Sequence, residues 1–390
     1  MRADRLGCYG CRAARTPNID LLAAGAVVFA AAGSPVPITL PSHASMLTGL
    51  IPPRHGVRLN ERHRLPDRVP TLAEVLQRHG YQTGAFISGL PMVKTGGLAQ
   101  GFDVYDEELT ALGVGDSSVV TRTERYAEEV LEAARAWLWS TDSTRPVFAF
   151  VHIFDPHEPY EKPLSATAAP SYDGEIAYVD RTLGPFLAAL GNDPRWHGML
   201  TVLTSDHGEG LWEHGEKDHG LFVYESTLHV PLIVHWPGRF APRRVHVPVN
   251  IVDVVPTILE LVELPGLPDV DGESLCSLME RPTPDERVHY FESLLGSLNY
   301  GWAPLRGVRC GRYKYISAPR PGLYDLQQDP HELHNLCAAR PADAARLAGY
   351  LTEIGEGAHA TVAMDPQTLA GFASLGYIVV PEKGTCGVAG

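Results

Sequence analysis

The chain has 390 residues, of which 44% are hydrophobic and 20% charged, and its formal net charge is −14. This length and composition predict a globular protein with one large α/β domain and room for a smaller second one. The acidic balance argues against nucleic-acid binding, and no apolar run approaches the ~20 residues of a transmembrane helix.

The first predicted elements are a short helix from Pro17 to Gly25 and a brief strand over 27–29. A second helix is predicted to begin near Pro41, with Thr39 just before it, because proline fits the first helical turn. A hydroxyl at that place lies in the positive field of a helix N-terminus, which suits a nucleophile or a tetrahedral anion. The alternative is that Thr39 only caps the helix.

Strands and helices alternate through the middle of the chain. The predicted helices cover 71–80, 122–139, 172–190 and 250–264, and the predicted strands cover 81–88, 147–154, 199–204 and 230–236. The strand over 147–154 is continuously apolar, which favours a central, parallel position. This alternation predicts an α/β fold with a mostly parallel sheet sandwiched by helices.

The amino-acid composition of the chain changes near Pro265, beyond which Pro and Gly become frequent. An antiparallel hairpin is predicted over 306–316, followed by a strand, a turn and a helix over 323–336. The predicted domains are a catalytic domain, a smaller α+β C-terminal subdomain, and a terminal part with a helix and a tail. Their bounds are 1–265, 266–350 and 351–390, with the terminal helix over 365–377.

Two of the predicted strands end in Asp and His residues. The strand over 199–204 runs into Asp206 and His207, and the strand over 147–154 is followed by His157 between two prolines. In open α/β sheets, ligands bind at the carboxyl ends of the strands. A carboxylate beside an imidazole suits zinc or manganese. The alternatives are a solvated polar loop at the first strand and a structural turn at the second.

Three basic side chains, His214, Lys217 and His219, follow closely after Asp206 and His207. In an acidic protein, such a cluster and a metal would together supply a local cationic site for an anionic substrate. The strand before this cluster favours a functional site over a solvated loop.

Taken in order, these motifs resemble those of the sulfatase family within the alkaline phosphatase superfamily, and the resemblance runs nearly end to end. The matching segments are the start through Asp20, the nucleophile motif over 39–49, the histidine motif over 152–159, the metal and anion motifs over 205–209 and 213–220, and the C-terminal signature over 323–336. The resemblance implies an alkaline-phosphatase-like fold and a metal-dependent hydrolase of sulfate or phosphate esters.

Two departures concern the site. Sulfatases proper carry Cys or Ser at the nucleophile position, which is oxidised to formylglycine, and an Arg shortly after it. Here Thr39 and His43 stand in those places, and threonine cannot become formylglycine. Asp206-His207 replaces the Asp-Asn pair that is usual in calcium sulfatases. Both changes resemble the phosphoester-cleaving branches, so manganese or zinc is favoured over calcium.

A third departure concerns the N-terminus. In the family, a strand that ends in metal-binding aspartates precedes the segment that Arg2–Asp4 resembles, and the sequence as given begins at Met1. We therefore expect an N-terminally truncated chain, with weak metal binding in the absence of that Asp. No signal peptide is present in the sequence as written, and the localisation is left open because the expected N-terminal extension could carry one.

The resemblance also implies roles for the residues. Thr39 would be the nucleophile, and its oxygen would join Asp206 and His207 on the metal. The non-bridging oxygens of the ester would bind His157 and His219, one of which protonates the leaving alcohol.

Further contacts with the substrate are assigned to His43, Lys217 and His214. The substrate would be a small molecule, or a glycan or lipid, that carries the ester, and the loops over 92–100 and 109–118 would contact its alcohol. Two alternatives remain: an enzyme like the phosphoethanolamine and phosphoglycerol transferases, and a pseudoenzyme impaired by the missing Asp.

Overall fold

The computed structural model describes residues 1–109, 124–160, 170–281, 287–357 and 369–372. The α-helices are α1 (Pro17–Ala24), α2 (Thr39–Thr48), α3 (Pro52–His55), α4 (Leu72–Arg78), α5 (Ala127–Ser140), α6 (Tyr172–Asn192), α7 (Glu225–Leu228), α8 (Val254–Leu261), α9 (Cys276–Glu280), α10 (Leu295–Tyr300) and α11 (Pro341–Ile354). The strands are β1 (Val27–Gly33), β2 (Gln82–Phe86), β3 (Val104–Asp106), β4 (Val147–Val151), β5 (Thr201–Thr204), β6 (His229–His235), β7 (Arg243–Val245), β8 (Val249–Asn250), β9 (Val288–Ser293), β10 (Leu305–Cys310), β11 (Tyr313–Ser317) and β12 (Gly322–Asp325).

The strands form three sheets. In the five-stranded sheet, β6 lies between β5 and β1 and is antiparallel to both, while β7 and β8 are parallel to β1. The second sheet has the order β3-β2-β4 and is parallel. The third, β12-β11-β10-β9, is antiparallel and lies in the C-terminal part. The α/β fold with a smaller antiparallel C-terminal sheet is confirmed.

Apolar strand residues build the main core. Alternate residues of β1 and β6, such as Phe29 and Leu232, are fully buried and pack with Val254 and Leu261 of α8. Alternation of this kind puts one face of a sheet against the helices that cover it. The carboxyl end of β5 is thereby held at the edge of a rigid layer, where the loop that begins at Ser205 leaves the sheet.

Most predicted elements are confirmed within a few residues, and several predictions need correction. The helix predicted at the end of 323–336 is wrong, because no helix is found over 326–336. There the carboxylate of Asp329 accepts the backbone N–H groups of Leu333 and His334, which stabilises a turn instead. The helix predicted over 122–139 begins at Ala127 in the described chain, while 122–123, most of the loop over 109–118 and most of the helix over 365–377 lie outside the described residues.

The position of β4 differs from the prediction. It is parallel, but among the described strands it pairs only with β2 and so lies at the edge of its sheet rather than at the centre. β5 likewise ends its sheet and pairs only with β6 in the described chain. Residues of both strands are only half-buried, because both line one cavity of about 730 Å³. We call this cavity, bounded by β4 and β5, the slot.

In the described residues, no helix combines the length and the apolarity that crossing a bilayer requires.

Candidate active site

Helix α2 places Thr39 at the bottom of the site. The helix begins at Thr39 itself, because the extended Ile38 occupies the N-cap position. The prediction that Thr39 precedes the helix is therefore wrong by one position, and the alternative that it merely caps the helix is contradicted. The side chain of Thr39 is buried at 2% exposure, and the next backbone N–H, of Leu40, donates to Asn60 Oδ1 at 2.8 Å.

The loop after β5 brings Asp206 and His207 to Thr39. The hydroxyl oxygen of Thr39 lies 3.3 Å from His207 Nε2, and Asp206 Oδ2 lies 3.2 Å from the same nitrogen. Ser42 of α2 donates its hydroxyl to the backbone carbonyl of Asp206 at 2.7 Å. This partly buried bond links the first turn of α2 to the loop that follows β5, and so joins the segment of Thr39 to that of Asp206 and His207.

The tautomer of His207 follows from its other nitrogen. Nδ1 lies 2.8 Å from the carbonyl oxygen of Gly208, which can only accept a hydrogen bond. Nδ1 therefore carries the hydrogen, and the lone pair of Nε2 faces Thr39. An imidazole lone pair at this place can accept the hydrogen of the Thr39 hydroxyl or bind a metal ion.

His157 and His219 meet on the other side of the site. Their Nε2 atoms are 3.4 Å apart, while Nδ1 of His157 donates to the Glu158 carbonyl at 2.6 Å and Nδ1 of His219 to the Pro37 carbonyl at 3.0 Å. The ring of His219 also lies against that of His207, with centroids 4.0 Å apart. Three imidazoles therefore turn Nε2 toward one small volume, and rings that gain a proton at Nε2 could donate to the oxygens of a tetrahedral anion there.

His43 lies one turn after Thr39 on α2. Its Nδ1 donates to the Thr39 carbonyl at 2.8 Å and is 3.7 Å from Asp206 Oδ2. The ring of His152, which follows β4, packs edge-on against it at 4.9 Å between centroids. His43 therefore lies in the cluster, beside the nucleophile and the carboxylate.

Burial sets the charge state of the cluster. It lowers the pKa of the imidazoles of His43, His207 and His219, and that of His157 to about 3, so they are neutral at pH 7. Burial works to raise the pKa of the Asp206 carboxyl, but the adjacent His207 and His43 hold it below its ordinary value. The site without substrate thus contains one carboxylate and neutral imidazoles.

Two of the predicted substrate residues point elsewhere. His214 stacks on Tyr224 at 3.6 Å between centroids, and its Nε2 contacts the carbonyl of His331. Lys217 forms an ion pair with Glu158 and is about half exposed, so it lies at the rim beside His157. The structure thus brings together Thr39, His43, Asp206, His207, His157 and His219, but leaves His214 outside the cluster.

The donors present fit a divalent cation in part. Atoms bound to one tetrahedral zinc ion at ~2.0–2.1 Å lie about 3.3 Å apart, which matches the spacings of Thr39 Oγ1 and Asp206 Oδ2 from His207 Nε2. Within the part of the chain that the structure describes, no group of three or more His, Cys, Asp and Glu side chains is placed to hold an ion. Asp206, His207 and the Thr39 hydroxyl therefore form an incomplete set of ligands for a divalent cation.

Several residues at the site received no role in the sequence analysis. His152, Ser42 and Asn60 all contact catalytic candidates or their backbone. Glu209 is 3% exposed, its Oε1 has no hydrogen-bond partner among the described residues, and burial raises its pKa to about 8. Only His152 carried a signal in the sequence, since it stands at the end of a predicted strand; the other contacts depend on tertiary packing.

The fold and the position of this site define an α/β protein of the alkaline-phosphatase-like class. The chain belongs to the sulfatase family, whose model matches residues 1–264. A second model, described as N-sulphoglucosamine sulphohydrolase, C-terminal, matches residues 212–351. Sulfatases are hydrolases of sulfuric esters, so the family is one of ester hydrolases.

Similarity to individual proteins supports the same family. The chain is 26% identical to arylsulfatase A from Homo sapiens, over 85% of this chain and 80% of the relative. It is 25% identical to an ulvan-active sulfatase from Formosa agariphila, over 91% of this chain and 80% of the relative. Among solved structures, phosphonate monoester hydrolase of Agrobacterium radiobacter is similar in fold, with a TM-score of 0.71 at 23% identity over 90% of this chain and 93% of the other.

Proposed function

We propose that the protein hydrolyses sulfate or phosphate esters through a covalent intermediate on Thr39. The observation that carries the proposal is the 3.3 Å contact between the Thr39 hydroxyl and His207 Nε2, at the end of β5. A buried hydroxyl beside an imidazole lone pair has the arrangement of an activated nucleophile. Its place at the start of α2 adds the positive end of the helix dipole.

The residues then act in a defined order. The Thr39 hydroxyl releases its hydrogen to water as its oxygen attacks sulfur or phosphorus in line, and His207 holds that oxygen in position. His157 and His219 take up protons from solvent at Nε2 as the anion binds and donate to its non-bridging oxygens, and one of them then gives its proton to the leaving alcohol. Water then attacks the Thr39 ester and restores the hydroxyl. His43 orients the first turn through the Thr39 carbonyl.

A divalent cation would be held by Asp206, His207 and the Thr39 oxygen, with manganese or zinc favoured over calcium by the imidazole ligand. When bound, it supplies positive charge that lowers the pKa of the hydroxyl and offsets the charge of the ester. Its removal by a chelator should abolish turnover without unfolding the protein, with activity as one measurement and far-UV circular dichroism as the other.

Sulfate is the favoured group because the family consists of sulfatases. Phosphate is the second candidate, since Thr39 cannot become formylglycine and a phosphonate monoester hydrolase has the same fold. A glycan or a small molecule would carry the ester; one relative is named for activity on ulvan. We also propose that residues 1–265 form a catalytic domain and residues 266–350 a C-terminal subdomain.

The function is tested with a panel of 4-nitrophenyl sulfate, 4-nitrophenyl phosphate and bis(4-nitrophenyl) phosphate, each with added manganese or zinc. Thr39→Ala should lower turnover of the preferred ester by on the order of 10³-fold or more, because the attacking oxygen is lost. Thr48→Ala is the matched control: Thr48 is buried in the same helix, and its hydroxyl donates to the Ala44 carbonyl and accepts the backbone N–H of Leu50. Turnover by Thr39→Ala at the rate of the control would overturn the proposal, and inactivity of the wild type toward all three esters would favour a pseudoenzyme.

We also propose that a further β-strand completes the site. The facing edges of β4 and β5 border the slot, and unpaired backbone groups at such edges bind an added strand. The apolar lining, with Phe148, Phe150 and Val202, suits alternating apolar side chains. Met1 lines the same cavity, and its amino group contacts Ser205 Oγ and the His207 carbonyl. A segment joined to Met1 would therefore lie next to Asp206, where a carboxylate could supply the missing metal ligand.

A further inference from the structure

One peptide group beside the catalytic cluster is held from both sides by side chains. It joins Gly220 to Leu221, directly after His219 in the chain. Its carbonyl oxygen accepts the hydroxyl hydrogen of Ser293. Its N–H donates to Oε1 of Glu216 at 2.7 Å. We call Glu216 and Ser293 the peptide clamp, because rotation of this peptide group would break both bonds.

Both side chains of the peptide clamp are buried, with Ser293 2% and Glu216 4% exposed. Oε1 of Glu216 also accepts the N–H of Phe222 at 3.1 Å. The hydroxyl of Ser293 also accepts the N–H of Leu295 at 3.3 Å. Burial raises the pKa of the Glu216 carboxyl to about 7. Because these bonds lie away from water, removing either side chain would leave backbone groups buried without a partner.

The clamp fixes the chain on one side of His219, and backbone groups fix it on the other. The carbonyl of Asp218 accepts the N–H of Gly210 at 2.6 Å. Nδ1 of the imidazole donates to the Pro37 carbonyl at 3.0 Å. Gly220 adopts φ 103°, and glycine populates many backbone conformations, so the orientation of the peptide after it depends on outside contacts. The clamp supplies those contacts.

One member of the clamp comes from the C-terminal sheet. Ser293 ends β9, whereas Glu216 lies in the chain between β5 and β6. Next to Ser293, the backbone N–H of Glu292 donates to the Pro35 carbonyl at 2.9 Å, so β9 also contacts the segment that leads into α2. The end of β9 is therefore bonded to both segments that carry the reacting groups.

We infer that Glu216 and Ser293 are positioning residues that hold His219 against the ester, so that the C-terminal sheet takes part in catalysis. Without the clamp, the peptide after Gly220 can rotate and the imidazole moves relative to Thr39. A displacement of ~1 Å at a reacting centre can cost on the order of 100-fold in rate. The inference rests on the proposed ester hydrolysis and assigns two further residues to it.

The test measures kcat/KM for the preferred ester in single and double variants. Glu216→Ala and Ser293→Ala should each lower it by about 10- to 100-fold in the otherwise native protein. In a His219→Ala background, the same two substitutions should change it by less than about twofold, because they act through that imidazole. Glu216→Gln should retain most of the turnover, since its amide oxygen can still accept the N–H of Leu221.

Thr257→Ala is the matched control, with melting temperatures recorded for every variant. Thr257 is buried in α8. Its hydroxyl, like that of Ser293, makes two bonds to the backbone: it donates to the Asp253 carbonyl and accepts the N–H of Leu275. This variant should keep wild-type turnover. If Glu216→Ala does not fold, Ser293→Ala and Glu216→Gln provide the comparison.

Two results would overturn the inference and leave the ester hydrolase intact. One is wild-type turnover in Glu216→Ala or Ser293→Ala. The other is an equal loss in the native and the His219→Ala backgrounds, which would show that the clamp supports the fold and not the imidazole. A wild type without turnover would overturn the inference together with the proposed function.

Discussion

At the scale of single residues, the chemistry of the site depends on hydrogen bonds that fix histidine tautomers. In His207, His157 and His219, Nδ1 donates to a backbone carbonyl, so Nε2 is left for the substrate or a metal. These carbonyls belong to Gly208, Glu158 and Pro37. The sequence placed all three histidines in the site because each follows a strand or lies near one that ends in a carboxylate. It could not show which nitrogen faces inward, since that depends on the path of the backbone.

His214 and Lys217 do not lie in the cluster with Thr39, His207 and His219. Both stand within a few positions of His219 in sequence, and proximity in sequence was the reason for assigning them to the substrate. The loop that leads to them contains left-handed backbone at Leu211, Trp212 and His214, and the His214 ring stacks on Tyr224. A backbone with several positive φ values does not continue in the direction of the preceding strand, so side chains that are close in sequence point in different directions.

Asp155 gives a pH-dependent prediction. Burial, and then Glu175, raise the pKa of its carboxyl to about 7, while the backbone N–H of Ala127 donates to Oδ2. Because the unfolded state ionises at lower pH, the folded state loses stability as pH rises from about 4 to 7. Asp155→Asn keeps an acceptor for Ala127 and removes this loss, so it should stabilise the protein by on the order of 2 kcal/mol at pH 8 and by little at pH 4.

The measurement is urea denaturation of both proteins at several pH values between 4 and 8. A difference in the free energy of unfolding that stays constant over this range would contradict the raised pKa of Asp155.

At the scale of elements, periodicity and capping predicted most helices and strands. Thr71 with Glu74 forms the capping box that starts α4, a pattern readable from the sequence. The helix predicted at the end of 323–336 was mispredicted because Asp329 bonds to backbone N–H groups further along the chain, and such local competition is not visible in apolar spacing. The edge position of β4 was missed because a continuous apolar run reports burial on both faces but not strand order.

Two glycines of the C-terminal part are expected to respond in opposite ways to substitution by alanine. A Cβ at Gly307, within β10, would lie 2.3 Å from the Tyr315 carbonyl oxygen and 2.4 Å from the Phe291 ring. Gly307→Ala should therefore destabilise the protein by about 1–3 kcal/mol, as overpacking does. At Gly349, in α11, a Cβ would meet nothing within 4 Å, so Gly349→Ala should stabilise by about 0.5–1 kcal/mol. Thermal unfolding measures both, and a stabilising Gly307→Ala would contradict the packing of β10 against β9 and β11.

At the scale of the whole molecule, the slot separates two sheets that one further strand would join. β4 ends the parallel sheet and β5 ends the mixed sheet, and both face the same cavity beside the catalytic cluster. The resemblance led to the expectation of a strand upstream of Met1, and the slot provides an observation from the structure that supports it. Composition and periodicity alone gave no sign of this cavity, because a strand edge has no signature in residue type.

A chain extended by the coding sequence upstream of Met1 tests this point. The added strand should protect backbone amides of β4 and β5 from hydrogen exchange and raise the melting temperature by several degrees, because it pairs two edges and buries apolar surface. Hydrogen exchange followed by mass spectrometry provides the measurement. Equal exchange of β4 and β5 amides in both chains would contradict the added strand.

Acid quenching during turnover, followed by peptide mapping by mass spectrometry, identifies the residue that carries the covalent intermediate. It is run with the preferred ester on this chain, on the extended chain and on their Thr39→Ala variants. We expect a sulfate or phosphate ester on the peptide that contains Thr39, and its loss together with turnover in both variants. An ester found on another residue, or turnover that persists without Thr39, would contradict nucleophilic attack by Thr39.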